Sequence, residues 1–455
     1  MSVQFFPTYE QVLRSKFGRL IFDAQEYGAD PTGVADSYPA IMAALHDAWK
    51  VYGTVILLPG IYTLSGPIIV QASTASNSLA PSLIAFGSGG VTEASLTSSV
   101  ILQPSSSFPS GEYLLAYLPY SPSYELAGYE VGGFSVLGQD EAGTALAAGI
   151  GVLNARQANW HDVAIGNTIT PAPVKTATGG DTSAFDVNQQ GSAGGFNSFR
   201  RIVCSKAGQD SFWCNSQESV WDQCRTILSG RFGFNVSNAA MTLANLSLDS
   251  SAQAQINDNN TTVSYVGINS FDGPTTGPTI QLNGSSSPRF VGCTFWGPQA
   301  AGLNSNSGAI VNTYGGGSAV FSGCIFLANT NTVHLVSAQA GATGAVRIVG
   351  GSTSGTYTGA MFLNSGTGIL SARDLIGLNP VGPVTVAVPA SGTATAALPY
   401  DSTFYITQAT AASSVAVQGQ TIAIPVGGPT AIRVPAGQTL TPTYTTAPTW
   451  VVMGD

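Results

Sequence analysis

The chain has 455 residues, 44% of them hydrophobic and only 9% charged, with 54 glycines, 25 prolines and a formal net charge of −9. Such a composition excludes a disordered chain, and the glycine-rich, helix-poor text excludes an ordinary helical enzyme. An acidic chain of this kind is no nucleic-acid binder, and without a run of 18 apolar residues no membrane insertion is expected.

In chain order, Met1 to Glu10 lack a basic segment followed by an apolar one, so no secretory signal is expected and export by another route, such as lysis, is. The stretch from Phe22 to Leu64 carries Tyr27-Gly28-Ala29-Asp30-Pro31, then Asp36-Ser37, then Pro59-Gly60-Ile61-Tyr62. Between these, a helix is predicted near residues 38–50. Asp36 or Ser37 can cap it, Pro39 suits its first turn, and Ile41, Ala44, Leu45 and Ala48 make one apolar stripe. A lone amphipathic helix ahead of stacked repeats is a lid over the first of them.

The repeats follow. A large apolar residue recurs with another three positions later at Val131/Phe134, Trp160/Val163, Phe199/Ile202, Trp221/Cys224, Leu243/Leu246, Tyr265/Ile268, Phe290/Cys293, Phe321/Cys324 and Val346/Val349. From Phe199 to Tyr265 the anchors fall 22 residues apart, and the next two steps are 25 and 31. A period of this length without helical patterning predicts a β-solenoid, each coil burying its apolar side chains only against its neighbours. An asparagine closes a short apolar run at Asn154, Asn188, Asn215, Asn235, Asn257, Asn283, Asn312 and Asn364, which predicts a left-handed turn residue in each coil and an amide ladder. Five cysteines form no readable disulfide framework, and Cys224, Cys293 and Cys324 fall at interior positions as small apolar side chains. With no Cys-x-x-Cys pair and three histidines, neither a metal nor a cofactor is expected.

The segment from Thr168 to Gly195 departs from the pattern and reads as an inserted loop, carrying Asp181 and Asp186. Near Asn379-Pro380 the repeats end. Residues 381–455 alternate Val, Thr, Ala and Pro between Gly/Pro-rich turns, and predict a small antiparallel, β-sandwich-like domain.

The ordered motifs Gly28-Ala29-Asp30, Asp36-Ser37 and Pro59-Gly60-Ile61-Tyr62 resemble the start of the pectate-lyase-like right-handed parallel β-helix family, common in tailed-phage tailspikes and minor tail proteins and in some secreted polysaccharide-degrading enzymes. The ending Thr443 to Trp450 is similar to short terminal β-domains of tail proteins from phages of actinobacteria. The resemblance implies an all-β fold: a right-handed parallel β-helix over residues 21–380, the capping helix near 38–50, and the C-terminal domain over 381–455. It also implies a homotrimer in a virion tail. Residues 1–20 precede the match, and a short helix from Tyr9 to Phe17 is expected there, attaching the chain to other virion tail proteins.

Charge is scarce, so its concentration is informative. Eight charged residues lie in the 32 positions from Arg200 to Arg231, against ten in the 224 positions after them. His161, Arg200 and Asp222 each follow an anchor by one residue, and Asp162, Arg201 and Gln223 by two. Stacked coils about 4.8 Å apart turn each trio into a surface column. Asp210, Glu218 and Asp222 are the candidate catalytic carboxyls, since glycoside cleavage needs two, about 5 to 9.5 Å apart. Arg200, Arg201, Arg225, His161 and Asp162 are candidate sugar contacts, and Trp213 joins them if Phe212 and Cys214 point inward. A purely structural account pairs Arg200 with Asp222 across neighbouring coils.

These readings favour a trimeric tail protein that binds host-surface polysaccharide. Its rivals are a glycan depolymerase on the same spike, a purely structural adsorption protein, and a secreted pectinase-like enzyme. The Asn-Thr-Asp, Asp-Asp, Gly-His-Gly and Arg-Ile-Lys signatures of polygalacturonases are absent, no coil offers three acids for a calcium-dependent lyase, and neither His161 nor His334 has a Gly-x-Ser-x-Gly context.

Overall fold

A computed structural model describes residues 20–454 except 75, 77, 88–98, 140–141, 145, 169–182, 190–194, 238–239, 260, 379–381, 408–412 and 428. The expected attachment helix at Tyr9 to Phe17, Asp181 and most of the Thr168–Gly195 insertion lie outside the described residues. The chain divides into two compact units, residues 1–257 and 258–455.

The first unit opens on the motif segment. The Asp30 carboxylate accepts the Thr32 N–H and hydroxyl and the N–H groups of Val34 and Ala35 at 2.6–3.1 Å. These bonds shape the turn between the strands Ile21–Asp23 and Thr32–Asp36. The helix spans Tyr38–Trp49, as expected. Asp36 caps it, accepting the Tyr38 N–H at 3.1 Å, while the Ser37 hydroxyl accepts the Asp30 N–H and makes no cap bond. Ile41, Ala44, Leu45 and Ala48 are buried against the strands Ile21–Asp23, Thr54–Leu57 and Ile68–Gln71. Burial of Ile41 and Leu45 is worth about 1.5–3 kcal/mol each. The Tyr62 hydroxyl donates to the Leu58 carbonyl and accepts from Gln25, so the Pro-Gly-x-Tyr motif is structural.

Parallel ladders then build the coils. A front ladder joins Glu130–Gly132, Asn159–Gly166, Ser198–Ser205, Val220–Asp222 with Arg225–Ser229, and Thr242–Ala244 with Ser247–Ser251. A back ladder joins Ile68–Gln71, Leu115–Leu118, Ile150–Leu153, Ser183–Asn188, Asp210–Asn215 and Phe232–Ser237. This is the parallel β-helix, and crossovers between parallel strands are right-handed. Ser183–Asn188 lies inside the expected inserted loop, so Asp186 belongs to a strand and is fully buried.

Val131, Trp160, Phe199, Trp221 and Leu243 face one another in register and are all buried. The Phe199 and Trp221 rings stack at 4.1 Å and 21°. On a regular strand, residues three apart point to opposite faces. The second position after each anchor resolves the conflict: Gly133, Asp162, Arg201, Gln223 and Asn245 all have positive φ, from 52–84° within the same left-handed region. That kink turns the strand so that anchor and third residue both enter the core.

The second unit repeats the device. Tyr265, Phe290 and Phe321 stack at 4.5 and 4.6 Å, and Gly267, Gly292 and Gly323 hold the left-handed position. The expected anchor pair Val346/Val349 is out of phase: Phe321 pairs with Ile348, Gly350 takes the kink, and Val349 is 47% exposed. All five cysteines are free and buried. The Cys293 and Cys324 thiols donate to the carbonyls of Tyr265 and Phe290 at 3.6 and 3.5 Å.

The asparagine reading holds only in pieces. Of the eight, Asn154 alone is left-handed among the described residues. Amide bonds join Asn215 to Asn188 and Asn257 to Asn235, but Asn235 stands opposite Trp213 and not Asn215, which interrupts the ladder. Toward the C-terminus, Gly382–Val384, Thr449–Gly454, Ser402–Thr407 and Pro429–Val434 form one antiparallel sheet, and Gln420–Ile424, Ser413–Val417 and Leu440–Thr443 another. Phe404, Ile406, Val415, Ile432, Leu440 and Val452 share their core.

Candidate functional site

The predicted charged columns form on the outer face of the front ladder. His161, Arg200 and Asp222 are consecutive register partners, with Gly132 before them and Ala244 after. The kink column places Asp162 and Arg201 beside them. Because a left-handed residue projects its side chain differently from a strand residue, the two columns meet in place of running parallel.

Their contacts make one network. The Arg201 guanidinium donates through Nε and an Nη to the two oxygens of Asp162 at 2.6 and 2.7 Å. His161 Nδ1 lies 2.9 Å from Asp162 Oδ2, and its Nε2 lies 2.9 Å from Glu130 Oε1. Asn159 donates to the same Glu130 oxygen at 3.0 Å, and Asn245 donates to Asp222 at 2.9 Å. The hydrogen bonds from Arg201 hold the Asp162 carboxyl below its usual range, and Asp162 in turn raises the Arg201 guanidinium. Gly132 is needed for this arrangement, since a Cβ there would stand 2.8 Å from the His161 ring and 2.2 Å from its carbonyl.

Arg200 stands apart. It is exposed between His161 and Asp222 and, among the described residues, makes no hydrogen bond or ion pair. The structural alternative, a direct Arg200–Asp222 bridge, is not formed; Asp222 bonds Asn245.

The remaining candidates do not join this group. Asp210 begins a strand of the back ladder, is 0% exposed, and takes both Arg231 bonds at 2.7 Å together with the Phe232 N–H and Asn235. A carboxylate so enclosed and paired on the back ladder is not on the outer face of the front ladder, which corrects the expected grouping of Asp210 with Glu218 and Asp222. Glu218 is an exposed, left-handed turn residue between the two ladders. Trp213 alternates with the fully buried Phe212 and Cys214, as expected, but it is half-buried on the back ladder between Asp186 and Asn235. Arg225 follows the kink and lies 3.6 Å from Asp249. Among the described residues no three His, Cys, Asp or Glu side chains are gathered to hold a metal ion.

Sequence reasoning missed Glu130 and Asn245. Glu130 precedes its anchor by one position and is the register partner of Asn159. Reading the column before the anchors, and not only those after them, finds it.

No known family profile matches the chain, and no curated protein matches it. Solved structures do. A mutant tailspike protein of Escherichia coli bacteriophage HK620, in complex with a pentasaccharide, is similar with a TM-score of 0.51 at 12% identity, over 96% of this chain and 94% of that one. The Dettilon tailspike protein matches at 0.44 and 10% identity over 99% and 96%, and the A-module of the Azotobacter vinelandii mannuronan C-5 epimerase AlgE4 at 0.45 and 12% over 78% and 98%. The chain has the parallel β-helix fold of tailspike proteins.

Proposed function

We propose that this chain is a tail protein of a tailed phage, trimeric in the virion, that binds host-surface polysaccharide through the front-ladder flank centred on Arg200. The observation that carries this reading is an unpaired guanidinium held between in-register His161 and Asp222, beside a network of Glu130, His161, Asp162 and Arg201 that fixes its neighbours in place. Ordered donors and acceptors on an otherwise charge-poor surface suit sugar hydroxyls. A fold shared with a tailspike that holds a pentasaccharide supports the same ligand class. Cleavage is the weaker reading, because it needs two carboxyls flanking one bond, whereas Asp210 is enclosed on the back ladder, Glu218 sits in a turn between the ladders and Asp222 lies on the front ladder.

The test is binding of the purified protein to host cells and their extracted glycan, with mass measured in solution. Arg200→Ala is expected to weaken glycan binding by about tenfold, the range of one lost charged hydrogen bond, with an unchanged melting temperature. Undiminished binding by Arg200→Ala places the glycan elsewhere, and a stable monomer ends the trimer reading.

A further inference from the structure

Within the second unit, a cleft of about 340 Å³ is lined by Arg347, Ser371, Arg373, Gln418 and Gln438, with Ile348, Val349, Ile369, Pro435 and Ala436 as apolar wall. Its floor is the outer face of the last coils, where Arg347 pairs in register with Ser371 and Val349 with Arg373. Its far side is two turns of the antiparallel domain. Gln418 tops the hairpin between Ser413–Val417 and Gln420–Ile424, with left-handed φ of 50° followed by Gly419 at 77°. The turn from Pro435 to Gln438 closes with the Gln438 N–H on the Pro435 carbonyl at 3.0 Å. Gly437 lies so close to the coil that a Cβ would stand 2.4 Å from the Ile369 side chain.

The two sides are tied by one carboxylate. Asp401 lies 3.3 Å from Arg373 Nε and 2.9 Å from Arg433, and accepts the Ala436 N–H at 2.9 Å. Partial burial works to raise this carboxyl, but the Ala436 N–H and the two guanidinium charges hold it below its ordinary range. Arg373 is thus partly neutralised. Arg347 is exposed and has no hydrogen bond or ion pair among the described residues. Three of the four arginines in residues 258–455 therefore gather at this seam, and the lining contains no carboxylate.

We propose that this cleft binds a carboxylated sugar unit, its carboxylate on Arg347, its hydroxyls on Ser371, Gln418 and Gln438, and its C–H face against Val349 and Ile369. A guanidinium presents parallel donors that match a carboxylate. Primary amides both donate and accept, as ring hydroxyls require. The cleft falls within the size range of small-ligand sites. This is a second site, with residues separate from the Arg200 flank.

The probe is a digalacturonate, titrated calorimetrically into the full chain, with cellobiose as the neutral control. Saturable binding of the digalacturonate, no binding of cellobiose, and a loss of about tenfold in Arg347→Gln but not in Arg289→Gln, an exposed arginine outside the cleft, are expected, in line with the strength of charge-assisted bonds. Because Arg347 is exposed, Arg347→Gln keeps its fold, which circular dichroism checks. Absence of digalacturonate binding, equal binding of cellobiose, or unchanged affinity in Arg347→Gln overturns the proposal. Loss in Arg200→Ala alone assigns the sugar to the flank and also overturns it.

Discussion

The same position of the coil carries different chemistry in the two units. One residue after the anchor, the first unit has Gly132, His161, Arg200, Asp222 and Ala244, whereas the second has Val266, Val291, Ser322, Val349 and Arg373. At the kink the contrast is sharper. The second unit uses Gly267, Gly292, Gly323 and Gly350 before ending on Asp374, while the first, after Gly133, places Asp162, Arg201, Gln223 and Asn245 in the same left-handed region. A side chain there costs about 1–2 kcal/mol that glycine avoids. The first unit tolerates that strain at four successive coils, and three of the four side chains enter the polar network or bond its neighbour, Asp222.

The core beneath is alike in both units, and the largest effects come from breaking it. Cys293 is buried in the interior column of the second unit. Its replacement by Asp puts an unpaired charge there, at a cost of roughly 3–5 kcal/mol or more. Cys224→Asp should do the same in the first unit, where burial already pushes the native thiol up to about 12. Thermal unfolding is the measurement; a melting temperature unmoved by either change contradicts the stacking register.

Changes at the kink are smaller and of opposite sign in the two units. Gly292→Gln keeps open space around its new Cβ, so only the left-handed backbone is penalised, and a loss of about 1 kcal/mol is expected. Gln223→Gly relieves the same penalty and should gain up to about 1 kcal/mol by chemical denaturation. Equal signs for both would show that the kink column is not governed by φ.

How far the text reveals this molecule depends on what each pattern encodes. Spacing three between apolar residues located the columns because it reports a kinked strand, and the columns of His161, Arg200 and Asp222 followed at once. The pattern failed at Ile348, where Gly350 and Gly351 leave no apolar residue at the third position and Val346 and Val349 imitate the spacing in the wrong phase. Ser183–Asn188 was hidden because six residues of strand sit within a Gly- and Thr-rich stretch, with only Phe185 and Val187 to signal it. Asp210 and Trp213 were misgrouped with Asp222 for a different reason. Repeat spacing aligns residues within one ladder and says nothing about which ladder faces which side.

Acid is the mildest probe, and it acts on a site outside both columns. Asp30 accepts bonds from Ala35, Thr32 and Val34, led by the Ala35 N–H, and its carboxyl is lowered to about 2 from 3.8. A carboxyl that is more acidic in the folded state stabilises the fold fully above its unfolded value and loses that contribution as pH falls through the folded one. Stability of the first unit should therefore decline between about pH 4 and pH 2. Asp30→Ala removes this step and lowers stability at neutral pH, because the turn before the capping helix loses its acceptor. Hydrogen exchange resolves the two units separately. Amides of Thr32 to Leu64 should lose protection in Asp30→Ala at neutral pH, while those of the Phe290 and Phe321 coils should keep theirs; uniform loss across both units would mean that they do not open independently and that the comparison between them describes chemistry alone.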